Sequence, residues 1–352
     1  MPEWLTPWLF LVGKIGFAVT LLFGIGPVLI MGDRKVSAWI QGRIGPNRVG
    51  PFGFFQPVAD IVKFMLKEVI VPNGVEKGLF YAAPLICFIP PVLGYCVIPW
   101  GNQIGDEKLQ IADLNIGVLF VMSVLSVGVY GITLGGWASN NKYSLLGTLR
   151  ASAQLISYEL TLGLTILMVV MMAESVDLND IVMRQATNGW NVFGGGNLWL
   201  LPCGLIGSVM FYTCALAENN RLPFDMAECE AELVGGYHTE YSAAAFATFM
   251  FSEYMAMILS ASLLVTLFFG GWSFPYLIDP MDHSLLTGLL SVGVFVTKIS
   301  VVLFSYIWIR WTLPRFRYDQ VMQLGWKGFL PIALVNIGIV ACVGVLLEGS
   351  AT

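Results

Sequence analysis

Residues 328–347 read GFLPIALVNIGIVACVGVLL, twenty consecutive positions without a charge. At 1.5 Å per helical residue this run covers about 30 Å, the hydrocarbon thickness of a bilayer. Residues 78–105, 114–141, 185–217 and 254–278 are equally free of charge, as are residues 15–32 after Lys14. Two more apolar stretches are each broken once, 151–173 by Glu159 and 285–309 by Lys298. The pattern predicts eight spans, near 8–32, 79–100, 115–136, 151–173, 198–217, 241–269, 285–309 and 328–347. The expected fold is therefore an all-α polytopic membrane protein, with residues 1–352 as one integral membrane domain.

Composition points the same way. Only 12% of the 352 residues are charged, against about 25% in a soluble domain, and the mean hydropathy is +0.75. These values exclude a soluble enzyme, a disordered chain and a nucleic-acid binder, since too few bases exist to track a phosphate backbone. The net charge of -5 selects no partner.

Placement of the bases sets orientation. The loops after odd-numbered spans hold Arg34, Lys35, Arg43, Arg48, Lys63, Lys67, Lys77, Lys142, Arg150, Arg221, Arg310, Arg315, Arg317 and Lys327. The other face holds Lys108 and Arg184, and Lys14 and Lys298 fall inside spans. Fourteen against two puts the odd loops in the cytoplasm, or the matrix, and both termini outside. The start, MPEWLTPW, lacks the basic region and cleavage site of a signal peptide, so the first span is expected to remain.

Cofactor motifs are missing. His238 and His283 fall on opposite faces, and neither has a Cys or His neighbour at metal spacing. There is no Walker A sequence and no G-x-G-x-x-G. The six cysteines form no Cys-x-x-Cys and read as small buried hydrophobes. Any electron carrier nearby belongs to another polypeptide.

Three features go beyond spans. The loop after the first span carries Asp33-Arg34-Lys35 and then RIGPNRVGPFGFFQP, residues 43–57, where Gly and Pro set turns among aromatics. Residues 58–71, VADIVKFMLKEVIV, set Asp60, Lys63 and Lys67 on one stripe and Val58, Ile61, Val62, Met65, Val69 and Ile70 on the other. This helix is too short to span and suits the membrane interface; a surface helix packed on other loops is the alternative. Glu159 and Glu253 stand at mid-membrane depth, where an ionisable residue marks a functional site unless it merely bonds helices together. Lys298 is their candidate partner or relay. Finally, residues 218–253 collect Glu218, Asp225, Glu228, Glu230, Glu232, Glu240 and Glu253 around the single base Arg221. Interleaved Pro223, Phe224, Leu233 and Val234 argue for a folded segment over a solvated acidic loop. Crowded carboxylates cannot all ionise cheaply, which suits a proton path.

These motifs resemble a known family, the H subunit (subunit 1) of proton-pumping NADH:quinone oxidoreductase, respiratory complex I. The matching residues are Asp33-Arg34-Lys35, QGRIGPNRVGP over 41–51, GFFQPVAD over 53–60, SNNKYS over 139–144, ISYE over 156–159, and AENNRLPFDMAECEAELVG over 217–235. The likeness runs from about residue 10 to 345. It implies an enzyme subunit at the junction of the peripheral arm with antiporter-like membrane subunits. Its substrate would be quinone, ubiquinone or menaquinone, with no flavin, haem or iron–sulfur cluster bound by this chain. By the resemblance, residues 33–78 form the cytoplasmic-side quinone loop and helix, with Arg34, Gln41, Arg43, Asp60 and Phe224 at the quinone cavity. Residues 218–240 form the acidic loop, and Glu159, Glu218, Asp225, Glu228, Glu230, Glu232, Glu240 and Glu253 line a charged channel to the proton path. The family commonly has Glu where this chain has Asp33, one methylene shorter. The resemblance places the chain in a bacterial or mitochondrial inner membrane. Two other readings are a related subunit of a membrane-bound hydrogenase and a free-standing proton-coupled transporter; neither needs both quinone-linked segments.

Overall fold

The computed structural model describes residues 5–105, 107–228, 230–275 and 277–351. In chain order the helices are α1 (Leu5–Ile40), α2 (Gln56–Leu66), α3 (Lys77–Tyr95), α4 (Gly117–Ala138), α5 (Lys142–Ala173), α6 (Leu178–Asn188), α7 (Leu201–Glu218), α8 (Glu230–Leu233), α9 (Ala243–Phe268), α10 (Leu285–Thr312), α11 (Tyr318–Gln323) and α12 (Leu330–Ala351). Among the described residues eight segments are long and apolar enough to cross a membrane, one for each expected span. Among the described residues the only extended pairing is one bridge between Ile104 and Glu107.

Helix α9 is the innermost span. Residues 257–268 are buried all round, as expected of a helix that is apolar on every face. It touches α1, α2, α3, α6, α7 and α10. By contrast, α1, α4, α10 and α12 leave many large apolar side chains exposed, including Phe17, Tyr130, Val301 and Val335.

The ends depart from expectation by five residues or more in five places, one of them α3, which stops at Tyr95 instead of the expected 100. Helix α1 continues through Asp33-Arg34-Lys35 to Ile40, because Asp33 turns inward onto partners and is 6% exposed. It stops in a Schellman arrangement: Arg43 N–H donates to Ala38 O at 2.8 Å and Gly42 N–H to Trp39 O at 3.1 Å. Gly42 supplies the left-handed φ of 68° that this cap requires. Helix α2 begins with Pro57 in its first turn and ends at Leu66, five residues before the expected 71, with Lys67 already extended. Ser242 holds the following strand-like segment by accepting from Ile70 N–H at 3.0 Å. The outward face of α2 is apolar, with Val58, Ile61, Val62, Met65 and Leu66 all exposed.

Helix α5 starts at Lys142, nine residues before the expected edge, capped by Asn141, whose side chain accepts from Tyr143 N–H. Residues 318–346 run on as one span, with a widened π turn over Leu324–Phe329 seated on α5, where Trp326 Nε1 donates to Ser157 Oγ at 3.1 Å. The amphipathic α6, which had no counterpart in the sequence reading, buries Leu178, Ile181, Val182 and Gln185. Gln185 ties it to the end of α9 by donating to Thr266 O at 2.8 Å.

Helices α3 and α4 meet backbone to backbone. A Cβ on Gly131 would lie 2.7 Å from Cys87 N and 3.0 Å from Ala83 O, and one on Gly135 would lie 3.1 Å from the Phe249 ring. Small residues at such a G-x-x-x-G interface let membrane helices touch. We expect Gly131→Val to push α3 off α4 and cost about 1–3 kcal/mol through overpacking, read as a lower thermal midpoint in detergent. An unchanged midpoint would show that the two helices separate freely.

Candidate functional site

One buried ionic cluster joins three helices and a loop. Asp33 of α1 accepts from Arg310 Nη1 at 2.5 Å, from Trp311 Nε1 at 2.8 Å and from Tyr254 OH at 3.1 Å. Arg221, in the loop after α7, stands 3.9 Å from the Asp33 carboxylate and 3.6 Å from that of Glu253. Its guanidinium also stacks on the Tyr254 ring at 4.5 Å. Asp33 and Arg221 are 6% and 5% exposed, so bulk water does not screen them. Two carboxylates face two guanidiniums, and the formal charges cancel. Burial opposes the Arg221 charge, but Tyr254, Glu253, Asp33 and Glu228 outweigh it and raise the pKa above its ordinary value.

The loop is fixed from both sides. Asn219 Nδ2 donates to Ala215 O at 2.7 Å and to Ser260 Oγ at 2.8 Å. From α5, Gln154 Nε2 donates to Ala217 O at 2.8 Å and to Phe224 O at 2.7 Å. Phe224 itself is buried against the rings of Tyr158 and Phe316.

Inward of Arg221, Tyr237 OH donates to Glu253 Oε1 at 3.0 Å. Glu253 and Glu218 both face a cavity of about 70 Å³ between α3, α4, α5, α7 and α9. Glu159 lies within electrostatic reach of Glu218, and its carboxylate accepts from Ser126 across to α4. Outward of Arg221, Asp225 pairs with Arg315 at 2.5 Å and accepts from Glu228 N–H at 3.3 Å. Burial, with the negative charges of Glu253 and Asp225, pushes the Glu228 carboxyl up to about 8. Burial also holds His238 neutral by lowering it to about 4.

The structure thus brings together Glu253 and Glu218 at one cavity, with Glu159 behind and Asp225 and Glu228 in front. Glu232 stands apart on an exposed pair with Arg150, and Glu240 accepts from Asn141 at 2.5 Å. The side chain of Glu230 and all of Cys229 lie outside the described residues. Lys298 is not the partner of either mid-membrane acid: it donates to the carbonyls of Phe269, Gly271 and Ser273 at 2.7, 3.0 and 2.6 Å. The left-handed Gly270 and Gly271 fold these carbonyls back over it. Among the described residues no three His, Cys, Asp or Glu side chains converge as a metal site.

A second pair lies at the end of α1. Arg34 Nη1 donates to Asp60 Oδ2 of α2 at 2.5 Å, with Gln56 and Lys63 each at 3.4 Å from the other oxygen. Burial opposes the Asp60 charge, and Arg34 with Lys63 and Gln56 holds the carboxyl below the usual range. Gln41 and Arg43 are exposed on the turn beyond. Phe224 makes its ring contacts with Tyr158 and Phe316. Sequence reasoning missed Arg310, Arg315, Trp311, Tyr254 and Tyr237; the two arginines were read only as orientation charges.

A family model described as NADH dehydrogenase matches residues 13–341. The chain is 47% identical to an NADH-quinone oxidoreductase H subunit, numbered 1, of Cytophaga hutchinsonii over 335 residues, 92% of this chain and 95% of that protein. It is 42% identical to the NADH-quinone oxidoreductase H subunit of Flavobacterium johnsoniae, covering 93% of this chain and 92% of that protein. Against the H subunit from Caulobacter vibrioides it is 45% identical, covering 89% and 88%.

A carboxyl raised by folding stabilises while protonated. The contribution of Glu228 is therefore complete below its ordinary 4.5 and lost as pH rises through about 8. We expect the thermal midpoint of the solubilised protein to fall across that window, and Glu228→Gln to flatten the fall. An identical slope in the variant would show that Glu228 is ionised throughout.

Proposed function

Because the chain belongs to the NADH dehydrogenase family, among the H subunits of NADH-quinone oxidoreductase, we propose that it forms much of the quinone-binding tunnel and the acidic channel that couples quinone reduction to proton translocation. It is a multi-pass membrane subunit of an oxidoreductase complex. In this reading the Arg34–Asp60 end faces the cytoplasm, beside the peripheral-arm subunits that deliver electrons, and both termini are periplasmic. Antiporter-like subunits adjoin the outward faces of the spans.

The carrying observation is the neutral cluster of Asp33, Arg310, Arg221 and Glu253. Asp33 and Arg34 are consecutive on α1, one turned to the cluster and the other paired with Asp60 of α2. A change of charge at the quinone end therefore acts one residue away from the cluster. The quinone takes up two electrons and two protons when reduced. Arg34 and Asp60 orient its polar head, while the apolar inner faces of α1 and α9 guide the tail.

Negative charge arriving near Arg34 draws the guanidiniums of Arg310 and Arg221 toward α1. Glu253 then loses part of Arg221's field, and in a low-dielectric setting that loss favours proton uptake on its carboxyl. Tyr237 holds the carboxylate in the cavity, and Glu218 and Glu159 continue the route across the bundle.

We expect Glu253→Gln, measured in reconstituted complex, to reduce quinone-coupled proton pumping by about a hundredfold, the scale of a lost positioned proton carrier, with assembly intact. Native pumping in that variant would remove Glu253 from the route. Arg34→Met should raise the KM for a short-chain quinone more than it lowers kcat; a pure kcat loss would place Arg34 away from the quinone head.

A further inference from the structure

Charge accounting around the cavity leaves two acids over, Glu218 and Glu159 beside it. Asp33 and Glu253 are balanced by Arg310 and Arg221. Glu218 faces the same cavity and has no ion pair or hydrogen bond to its carboxylate among the described residues. Its neighbour Glu159 adds a second negative charge, met only by the Ser126 hydroxyl. An ionised carboxylate taken out of water without a counter-charge is costly, so Glu218 either keeps its proton or takes a bound cation in its place.

The lining is rich in acceptors. Asn220 is 5% exposed, lines the cavity, and its Oδ1 has no hydrogen-bond partner. The Tyr237 hydroxyl gives its hydrogen to Glu253, which leaves it an acceptor, and Tyr237 also lines the cavity. On the α3 side the wall contains Pro90 and Pro91. Pro91 lacks the N–H that would bond the carbonyl four residues earlier, which releases the carbonyl of Cys87, another residue of the wall, from the helical ladder. A backbone carbonyl freed from its ladder beside a carboxylate supplies the oxygen ligands that small cations use. A volume of about 70 Å³ holds one such ion with about one or two waters, each needing about 30 Å³.

We propose that this cavity is a Na+ site, with Glu218 as the anionic ligand and Asn220 Oδ1 as a neutral one, in which Na+ competes with protons for Glu218. The site shares its acids with the route proposed above and does not rest on it.

The test is equilibrium binding of radioactive Na+ to the intact purified complex at rest, without NADH or quinone, in choline chloride of constant ionic strength. Glu218→Gln should lose one Na+ per complex, whereas Glu76→Gln, an exposed acid at the start of α3, should lose none. Asn220→Asp adds a charged ligand at a position whose φ of 49° Asp tolerates, and should tighten binding; a merely structural asparagine would not. Unchanged Na+ stoichiometry and affinity in Glu218→Gln, or unchanged affinity in Asn220→Asp, would overturn the proposal. Because no turnover is involved, a failure here is separate from a failure of Glu253 in proton pumping.

Discussion

Arg221 is the constraint on which the rest depends. Its guanidinium is buried between Asp33 and Glu253 and stacked on Tyr254. A buried cation is tolerable only with its partners in place, and removing one partner of such a pair costs about 3–5 kcal/mol. Asp33 on α1, Glu253 on α9, Arg310 on α10 and the loop after α7 must therefore arrive together. Polar satisfaction sets their mutual positions, since lipid supplies little hydrophobic drive between spans.

The same requirement organises the surroundings. The buried amides of Gln154 and Asn219 add second donors to the carbonyls of Ala215, Ala217 and Phe224, which frame the loop carrying Arg221. Lys298 solves the equivalent problem at the other end of α9, where three carbonyls of the α9–α10 turn receive its three hydrogens. Trp190 covers that ammonium at 4.6 Å. Asp33, Glu253, Arg221, Arg310 and Lys298 are thus accounted for by named partners, whereas Glu218 opens on the cavity and Glu159 meets only the Ser126 hydroxyl.

Hydropathy made the eight spans legible because charges are scarce and lie mostly at helix ends. It placed the end of α1 poorly for a physical reason: a charged residue marks a boundary only when it faces water. Asp33 faces arginines, so α1 runs through it. The stripe of residues 58–71 continued past the true end of α2 because periodicity does not register the Ser242 contact that draws Ile70 into an extended path. The acidic run around Arg221 was legible as a folded site, and the structure groups Glu218, Asp225, Glu228 and Glu253 around it. Arg310, Trp311, Tyr254 and Tyr237 were not, since they come from three separate elements and no local pattern joins them to the acidic run. Lys298 looked like a partner for the mid-membrane acids, because one sequence does not say at which depth two spans face each other.

The central claim is that Asp33 and Glu253 act as one electrostatic unit through Arg221. A double-mutant cycle tests it most directly: Asp33→Asn, Glu253→Gln and the pair, each read as protons pumped per quinone reduced in reconstituted complex. The account predicts strong non-additivity, about 0.5–3 kcal/mol of interaction, with the double variant no worse than the more severe single. Effects that simply multiply would contradict it, because the two carboxylates would then act independently of the arginine between them.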